Sequence, residues 1–309
     1  MLGNFLDKSK PINFISLLIF FLFFFLSFSI SHFLTDGFTL NNLLYFCLLL
    51  VIFLSVFFFF NFIVTRNNLT FDNTYSYFVF TISLIIILPE LKSYKILILC
   101  ILNLLFLRKI YSLHSNKVIT SKLFDSGFWL GISFIIEPFT VLFFVLLLAA
   151  IYMHQKVTIY TILVPLTGFL APLMVYFSYL FWNDKTTEFT SLFLPNTNFD
   201  ISSLTETKYL WFILGILVLS FISVFFKSPK TFSVSNSFRN SWILLLINLF
   251  ISIIYILFSP ENKVAELIFI LFPTSVIIAN GIELINKKLI KNGVLYLFLA
   301  SIFIIYFLL

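Results

Sequence analysis

The chain has 309 residues, of which 61% are hydrophobic and only 10% are charged, and its mean hydropathy is +1.10. A soluble domain is about 45–50% apolar and about 25% charged. This composition excludes a water-soluble protein, because too few polar residues remain to cover its surface. The formal net charge of +6 comes from short basic segments between apolar runs, which indicates membrane topology and no nucleic-acid partner.

Eleven apolar runs follow one another along the chain, and each run predicts a helix. A membrane crossing needs about 20 apolar residues, and backbone groups in lipid must pair within their own segment. The runs lack the alternation that strands of a membrane barrel would show. We therefore predict an all-α, polytopic transmembrane helical bundle of about eleven spans, forming a single integral membrane domain over residues 1–309. The predicted spans are Ile12–Leu34, Asn41–Val64, Tyr75–Leu88, Tyr94–Leu107, Lys122–Ile136, Phe139–Tyr152, Thr158–Trp182, Tyr209–Phe226, Ser241–Phe258, Val264–Ile285 and Gly293–Leu309.

The third to sixth runs are short, and Pro89 and Pro138 divide them into two pairs. Two interpretations of these pairs remain open. Each pair forms two complete but short helices, or each pair forms one re-entrant, broken element that lines protein or a wet cavity.

The basic residues predict the orientation of the spans, because cytoplasmic loops of membrane proteins carry an excess of Lys and Arg. With the N-terminus in the cytoplasm, fourteen of the 19 basic residues fall on the cytoplasmic side. These are Lys8, Lys10, Arg66, Arg108, Lys109, Lys117, Lys122, Lys156, Lys227, Lys230, Arg239, Lys287, Lys288 and Lys291. Most acidic residues fall outside. We predict a multi-pass membrane protein with its N-terminus in the cytoplasm and its C-terminus on the outer side of the membrane.

The longest predicted outer segment is Asn183–Lys208. It has room for a short surface helix and is the best candidate for a lid or a docking loop.

Several segments carry a family resemblance. They are Lys8–Phe14 (KSKPINF), Arg66–Thr70 (RNNLT), Leu107–Leu113 (LRKIYSL) and Lys122–Trp129 (KLFDSGFW). They resemble an uncharacterised family of multi-pass inner-membrane proteins from Bacteroidota, a domain of unknown function. The resemblance implies an inner-membrane location in a diderm bacterium and implies no established activity.

A weaker similarity is architectural. A basic loop, a short helix with Gly127 and Gly131, a break and an apolar helix resemble part of the polytopic glycosyltransferases that use lipid-linked sugar donors. Those enzymes place an acidic residue in the first outer loop, where Asp36 stands in this chain. Their first outer loop is long, whereas Thr35–Leu40 is only a tight connection.

Asp36, Glu90 and Glu137 are the candidate catalytic residues. Charged side chains at a membrane edge suggest function, because their burial is costly. Carboxylates beside a wet cavity can act as general base and electrostatic stabiliser for sugar transfer, or bind a divalent ion that holds a pyrophosphate. The alternative is a set of exposed loop acids, with Glu90 paired to Lys92. His32 and Asp36, four residues apart, form either a proton-transfer pair or a simple helix end.

The basic cluster of Arg108, Lys109, Lys117 and Lys122 is interpreted as an anchor to anionic headgroups, and Asp125 as the N-cap of the fifth span. No Walker A, GxSxG, HExxH or GxGxxG pattern occurs, so no cofactor or metal is assigned. Asn103, Asn248 and Asn280 lie inside predicted spans, where they can hydrogen-bond between helices, and they are interpreted as ordinary packing residues.

Three classes of function remain open. The first is an enzyme that transfers or processes sugar on a lipid-linked saccharide at the periplasmic face. The second is a transporter or flippase, which predicts a charged residue deep in the bundle. The third is a non-catalytic membrane subunit of an envelope assembly or secretion machine. Partners are accordingly the lipid bilayer, together with a lipid-linked substrate or other membrane subunits.

Overall fold

The computed structural model describes residues 2–115, 117–154, 157–194, 209–231, 233–259 and 263–308. Helices dominate this part of the chain, which contains no β-strand. The helices are α1 (Leu2–Leu6), α2 (Pro11–Asp36), α3 (Leu40–Arg66), α4 (Tyr75–Ile87), α5 (Tyr94–Ser112), α6 (Ile119–Ile136), α7 (Phe144–His154), α8 (Ile159–Trp182), α9 (Thr186–Ser191), α10 (Leu210–Thr231), α11 (Asn236–Phe258), α12 (Lys263–Glu266), α13 (Ile268–Glu283) and α14 (Lys288–Leu308). Short 3-10 segments at Leu88–Glu90 and Pro138–Phe143 extend α4 and precede α7.

Within these ranges, eight helices are long and apolar enough to cross a membrane, so the chain is a multi-pass membrane protein. Three further predicted spans correspond to Tyr75–Glu90, Pro138–His154 and α5. The first two are shorter apolar segments, and α5 carries Lys95, Arg108 and Lys109 near its ends. The count of eleven crossings therefore stays a prediction.

The helix ends gather at two opposite ends of the bundle, which we name by one buried residue each. At the Lys227 end, the Thr74 amide that opens α4 donates to the Leu6 carbonyl at 3.0 Å, and the Phe71 amide donates to Glu283. At the Glu137 end, Lys95 in the first turn of α5 pairs with Glu137. Helices α4 and α5 thus each connect both ends, a geometry that fits two complete helices better than a re-entrant element.

Two helices form the centre of the bundle. All residues of α4 are buried, and so are 94% of the residues in an 18-residue window of Val264–Glu283. A helix that is apolar on every side must be enclosed by other helices or by lipid. The aromatic core holds α3, α4 and α13 together, since the Phe60 ring stacks on Phe80 at 4.1 Å and meets the Phe272 ring edge-on at 5.6 Å.

Glycines bring the backbones of α6 and α8 into direct contact. A Cβ atom on Gly127 would lie 2.0 Å from the Pro165 carbonyl oxygen, and one on Gly168 would lie 2.2 Å from the Phe124 carbonyl oxygen. Gly131 faces Phe169 in the same way. Gly127 and Gly131 therefore form the small-xxx-small contact typical of membrane helices. Close packing of α6 against α8 is thus sufficient to explain the two glycines that resemble a glycosyltransferase element.

The expectation that Asp125 caps the fifth span is wrong. Helix α6 begins at Ile119, so Asp125 lies inside it and pairs with Lys109 at 2.6 Å. Lys122 donates to the carbonyl oxygens of Ser112 at 2.6 Å and Ser115 at 2.9 Å. Its ammonium thus neutralises the negative C-terminus of α5, which gives part of the basic cluster a structural role.

Candidate functional site

Glu137 lies where the chain leaves α6. The residue before a proline is restricted to extended backbone, and Glu137 adopts φ −146° and ψ 106° before Pro138. Its carboxylate lies 2.9 Å from the Lys95 ammonium. The side chain of Glu137 is only 5% exposed, whereas that of Lys95 is 36% exposed. The pair therefore has one enclosed member and one member that reaches the surface.

An apolar groove of about 700 Å³ begins at the residues that follow Glu137 in the chain, and neither Glu137 nor Lys95 is among the residues that line it. Pro138 and Phe139, the two residues that follow Glu137, line it together with Phe134 and Phe169. Phe193, just beyond the short exposed helix α9, closes one side. The outer segment Asn183–Lys208 thus begins with the short helix expected there, and its residues 195–208 lie outside the described residues. The Glu137 end combines a charged pair with an apolar groove.

The structure does not bring the three predicted carboxylates into one described contact. Glu90, at the end of the Leu88–Glu90 segment, hydrogen-bonds Tyr209. Lys92, its expected partner, instead places its ammonium 6.0 Å from the Phe28 ring centroid. Asp36 ends α2, and its side chain lies outside the described residues. Convergence of the three on one cavity therefore stays a prediction.

A second charged site, at the Lys227 end, escaped the sequence prediction. The Lys227 ammonium lies 3.1 Å from the Glu283 carboxylate, and the two side chains are only 3% and 9% exposed. Glu283 also accepts from the Phe71 amide at 3.0 Å and from the Asn73 side chain. The basic residue had been interpreted as a topology signal, and its partner is 56 residues away in sequence.

Aromatic rings cover the Lys227–Glu283 pair. The ammonium lies 4.9 Å from the Phe71 ring centroid and 5.4 Å from that of Phe238. These two rings stack on each other at 6.0 Å. The positive charge therefore has a carboxylate on one side and two π-faces on another, which offsets its desolvation.

A polar cavity of about 670 Å³ opens next to these rings. Its walls include Asn68, Thr70, Asp72, His114 and Ser237. Two of the segments that carry the family resemblance meet here, because Ser9 donates to Asp72 and Arg66–Thr70 supplies part of the wall. The Lys227 end thus offers a water-accessible polar site, in contrast to the apolar groove at the Glu137 end.

Comparison with protein-family models matches residues 1–309, the whole chain, to a family of unknown function, DUF6427. No curated protein and no solved structure matches the chain.

Proposed function

The chain belongs to the family of unknown function DUF6427, and from its own geometry we propose that it acts on a lipid-linked saccharide, by glycosyl transfer or processing. The supporting observation is that the Lys95–Glu137 ion pair is followed, at Pro138 and Phe139, by the wall of an apolar groove. A lipid-linked saccharide is amphipathic in the same way, with a hydrocarbon chain, a phosphate linker and a polar sugar. The groove would hold the chain while the ion pair meets the linker and the sugar.

The chemistry assigns one role to each charge. Lys95, with its ammonium partly exposed, would neutralise the phosphate of the linker. Glu137 would accept the proton of the attacking hydroxyl as general base. A bond then forms between the acceptor oxygen and the anomeric carbon, the bond from that carbon to the phosphate oxygen breaks, and the lipid phosphate leaves with its charge balanced by Lys95. Asp36 and Glu90 remain proposed catalytic residues at the same end.

We place this reaction at the periplasmic face of the inner membrane of a diderm bacterium, in line with the resemblance to the Bacteroidota family. The N-terminus then lies in the cytoplasm. Support comes from the basic residues, most of which lie near the helix ends and in the connections at the Lys227 end. The Glu137 end accordingly faces the periplasm.

The test uses purified protein with a polyprenyl-phosphate sugar donor and mass spectrometry of the lipid and saccharide products. We expect Glu137→Gln to lower the rate by about 10²–10⁴-fold, the usual loss when a general base is removed. Glu188→Gln is the matched control, because Glu188 lies in exposed α9 and pairs only with neighbouring Lys185 at 3.5 Å among the contacts described. An unchanged rate in Glu137→Gln, with full binding of the donor, would overturn the proposal.

A second candidate is a transporter or flippase, and one observation favours it. The Lys227–Glu283 pair is buried where α10 and α13 end, and buried charges in membrane proteins commonly mark transport pathways. Movement of a fluorescent lipid-linked saccharide across proteoliposome membranes, with no new glycosidic product, would favour this candidate. Stable co-purification with other envelope proteins, without either activity, would favour the non-catalytic subunit.

A further inference from the structure

Buried polar residues form a stripe on helix α11 that begins at Ser241 and ends at Ser259, the residue that follows the helix. Ser241, Asn248, Ser252, Tyr255 and Ser259 follow at spacings that place them on one helical face. None of these side chains is more than 3% exposed. At 1.5 Å per residue, the stripe extends over roughly 27 Å, close to the thickness of the hydrocarbon core of a membrane, about 30 Å. Apolar residues would fill such a face if it served packing alone.

Two side chains of this stripe, Asn248 and Ser252, are incompletely satisfied by protein partners. Within the described part of the chain, neither atom of the Asn248 amide forms a hydrogen bond of standard geometry, and the same holds for the hydroxyls of Ser252 and of Tyr111 on α5. The Tyr111 hydroxyl and the Asn248 side chain are in contact. This contact joins α5 to α11, in keeping with the interhelical hydrogen bond expected of Asn248. Each unpaired buried polar group costs about 1–3 kcal/mol, so such groups are normally satisfied by internal water.

The stripe ends at a titratable group on one side and at the polar cavity on the other. At the Glu137 end, the Ser259 hydroxyl donates to Glu266, a carboxylate that is 1% exposed. At the Lys227 end, Tyr111 precedes His114 by one turn, and the His114 Nδ1 lies 2.7 Å from the Tyr111 carbonyl oxygen. His114 lines the polar cavity. Groups with exchangeable protons thus extend from this cavity to a buried carboxylate.

We propose that the polar stripe of α11 is hydrated and conducts protons between the Lys227 end and the Glu137 end. Between Asn248 and Ser259 the steps are three or four residues, about 5–6 Å between Cβ atoms, a gap that one water molecule bridges. None of the cavities described above is lined by residues of the stripe, so the walls suit single waters and rotating hydroxyls, and no larger solute.

Glu266 is the proton acceptor of the path. A proton enters from the polar cavity, passes along the stripe, and protonates the Glu266 carboxylate as an equivalent proton leaves toward the other side. No covalent bond is made or broken apart from these O–H bonds, and the transmembrane proton gradient supplies the driving force. Carboxylates within membrane segments commonly act in proton relays. The inference does not require that the protein act on a lipid-linked saccharide.

The test uses the full chain in proteoliposomes that enclose a pH-sensitive dye, with an imposed membrane potential and no saccharide substrate. We expect wild-type protein to conduct protons about tenfold faster than protein-free liposomes. Asn248→Leu and Glu266→Gln should each lower the rate of proton conduction about tenfold. This factor corresponds to a barrier to proton transfer that is higher by roughly 1.4 kcal/mol. Asn236→Leu is the matched control, because Asn236 is the exposed first residue of α11.

Folding is controlled separately, by size-exclusion chromatography and thermal unfolding of each variant in detergent. Asn248→Leu should fold, because it replaces a buried amide that has no hydrogen bond of standard geometry by an apolar side chain of similar size, and Glu266→Gln retains the shape of the carboxylate. Flux through wild-type protein that equals the protein-free rate would overturn the proposal. So would wild-type flux in folded Asn248→Leu and Glu266→Gln.

Discussion

The two ends of the molecule carry the same ion pair, a lysine with a glutamate, in opposite settings. Lys227 and Glu283 are both enclosed, and Glu283 has two further donors from the chain. Lys95 reaches the surface while Glu137 is buried beside an apolar groove. The same two residue types therefore have different roles. The buried Lys227–Glu283 pair fixes the position of the residues around it, whereas the Lys95–Glu137 pair, whose lysine reaches the surface, can contact a ligand.

The enclosed pair fixes the geometry of its surroundings. Lys227 comes from α10, Glu283 from the end of α13, and Phe71 and Asn73 from the loop that precedes α4. A buried ion pair contributes little net stability compared with apolar residues of the same shape, but loss of one partner is costly. The role of the Lys227–Glu283 pair is to hold Phe71 and Asn73, which form part of one wall of the polar cavity, in position.

The largest expected effect is that of Lys227→Ala. This change leaves the Glu283 carboxylate buried without its cation, which should lower the free energy of unfolding by about 3–5 kcal/mol. Thermal unfolding in detergent measures the loss. The double variant Lys227→Met with Glu283→Leu should recover most of it, because both charges are then removed. A melting temperature of Lys227→Ala equal to that of wild type would show that the pair does not organise this end.

The second-largest expected effect on stability comes from substitution of Gly281, which lies two residues before Glu283. A Cβ atom on Gly281 would lie 2.2 Å from the Ser223 hydroxyl oxygen and 2.6 Å from its Cβ. Gly281→Ala should therefore push α10 away from α13 and lower the free energy of unfolding by about 1–3 kcal/mol. Gly215→Ala on α10 is the matched control, since a Cβ there meets nothing within 4 Å. Equal stability of the two variants would contradict close packing of these helices.

Lys95→Ala should have a smaller effect than Lys227→Ala, about 1–3 kcal/mol on the free energy of unfolding. The change leaves the Glu137 carboxylate, 5% exposed, without its cation, but the Lys95 side chain is 36% exposed, so water can reach the space that it leaves. The effect of this substitution on binding of a lipid-linked saccharide should exceed its effect on stability. Parallel measurement of unfolding and of donor binding separates the two. A loss of stability as large as that of Lys227→Ala would remove the contrast between the two ends.

The smallest expected effect on stability is that of Asp7, which follows α1 and contacts Tyr75 and Lys291 of the bundle. A hydrogen bond from the Tyr75 hydroxyl is the main cause that holds the pKa of Asp7 below its ordinary value of 3.8, and Lys291 adds to it. The folded state therefore favours the ionised carboxylate. Its stabilising contribution is complete above the ordinary pKa and is lost as the pH falls through the lower folded-state pKa. Melting temperatures of wild type and Asp7→Asn should differ above this range and converge below it.

Much of the fold could be predicted from local sequence patterns. The long apolar runs gave helices close to their observed bounds, as with Tyr75–Leu88 against α4 at Tyr75–Ile87. The start of α6 was misplaced, because Lys122 and Asp125 suggested a water-exposed segment, whereas both side chains are satisfied by α5. The polarity of neighbouring residues in the sequence could not show that Lys122 and Asp125 have partners on another helix.

The candidate site was only partly predictable. Glu137 stood out because a charge beside a proline between apolar runs is unusual, and the structure adds Lys95 and the groove. Lys227 and Glu283 carried no such signal, since each stands near a helix end where charged residues are common. Asn248 resembled an ordinary packing residue, and only the arrangement of α5 and α11 places its buried amide against Tyr111.

The sequence by itself determined that this is a multi-pass helical membrane protein, because apolar runs of this length have no other stable state than helices enclosed by lipid or protein. It also determined where most helices begin and end. Only the tertiary structure decided which helices are central, which glycines bring backbones together, and which charges meet. Those outcomes depend on contacts between residues far apart in the chain, and a linear pattern of polarity does not specify them.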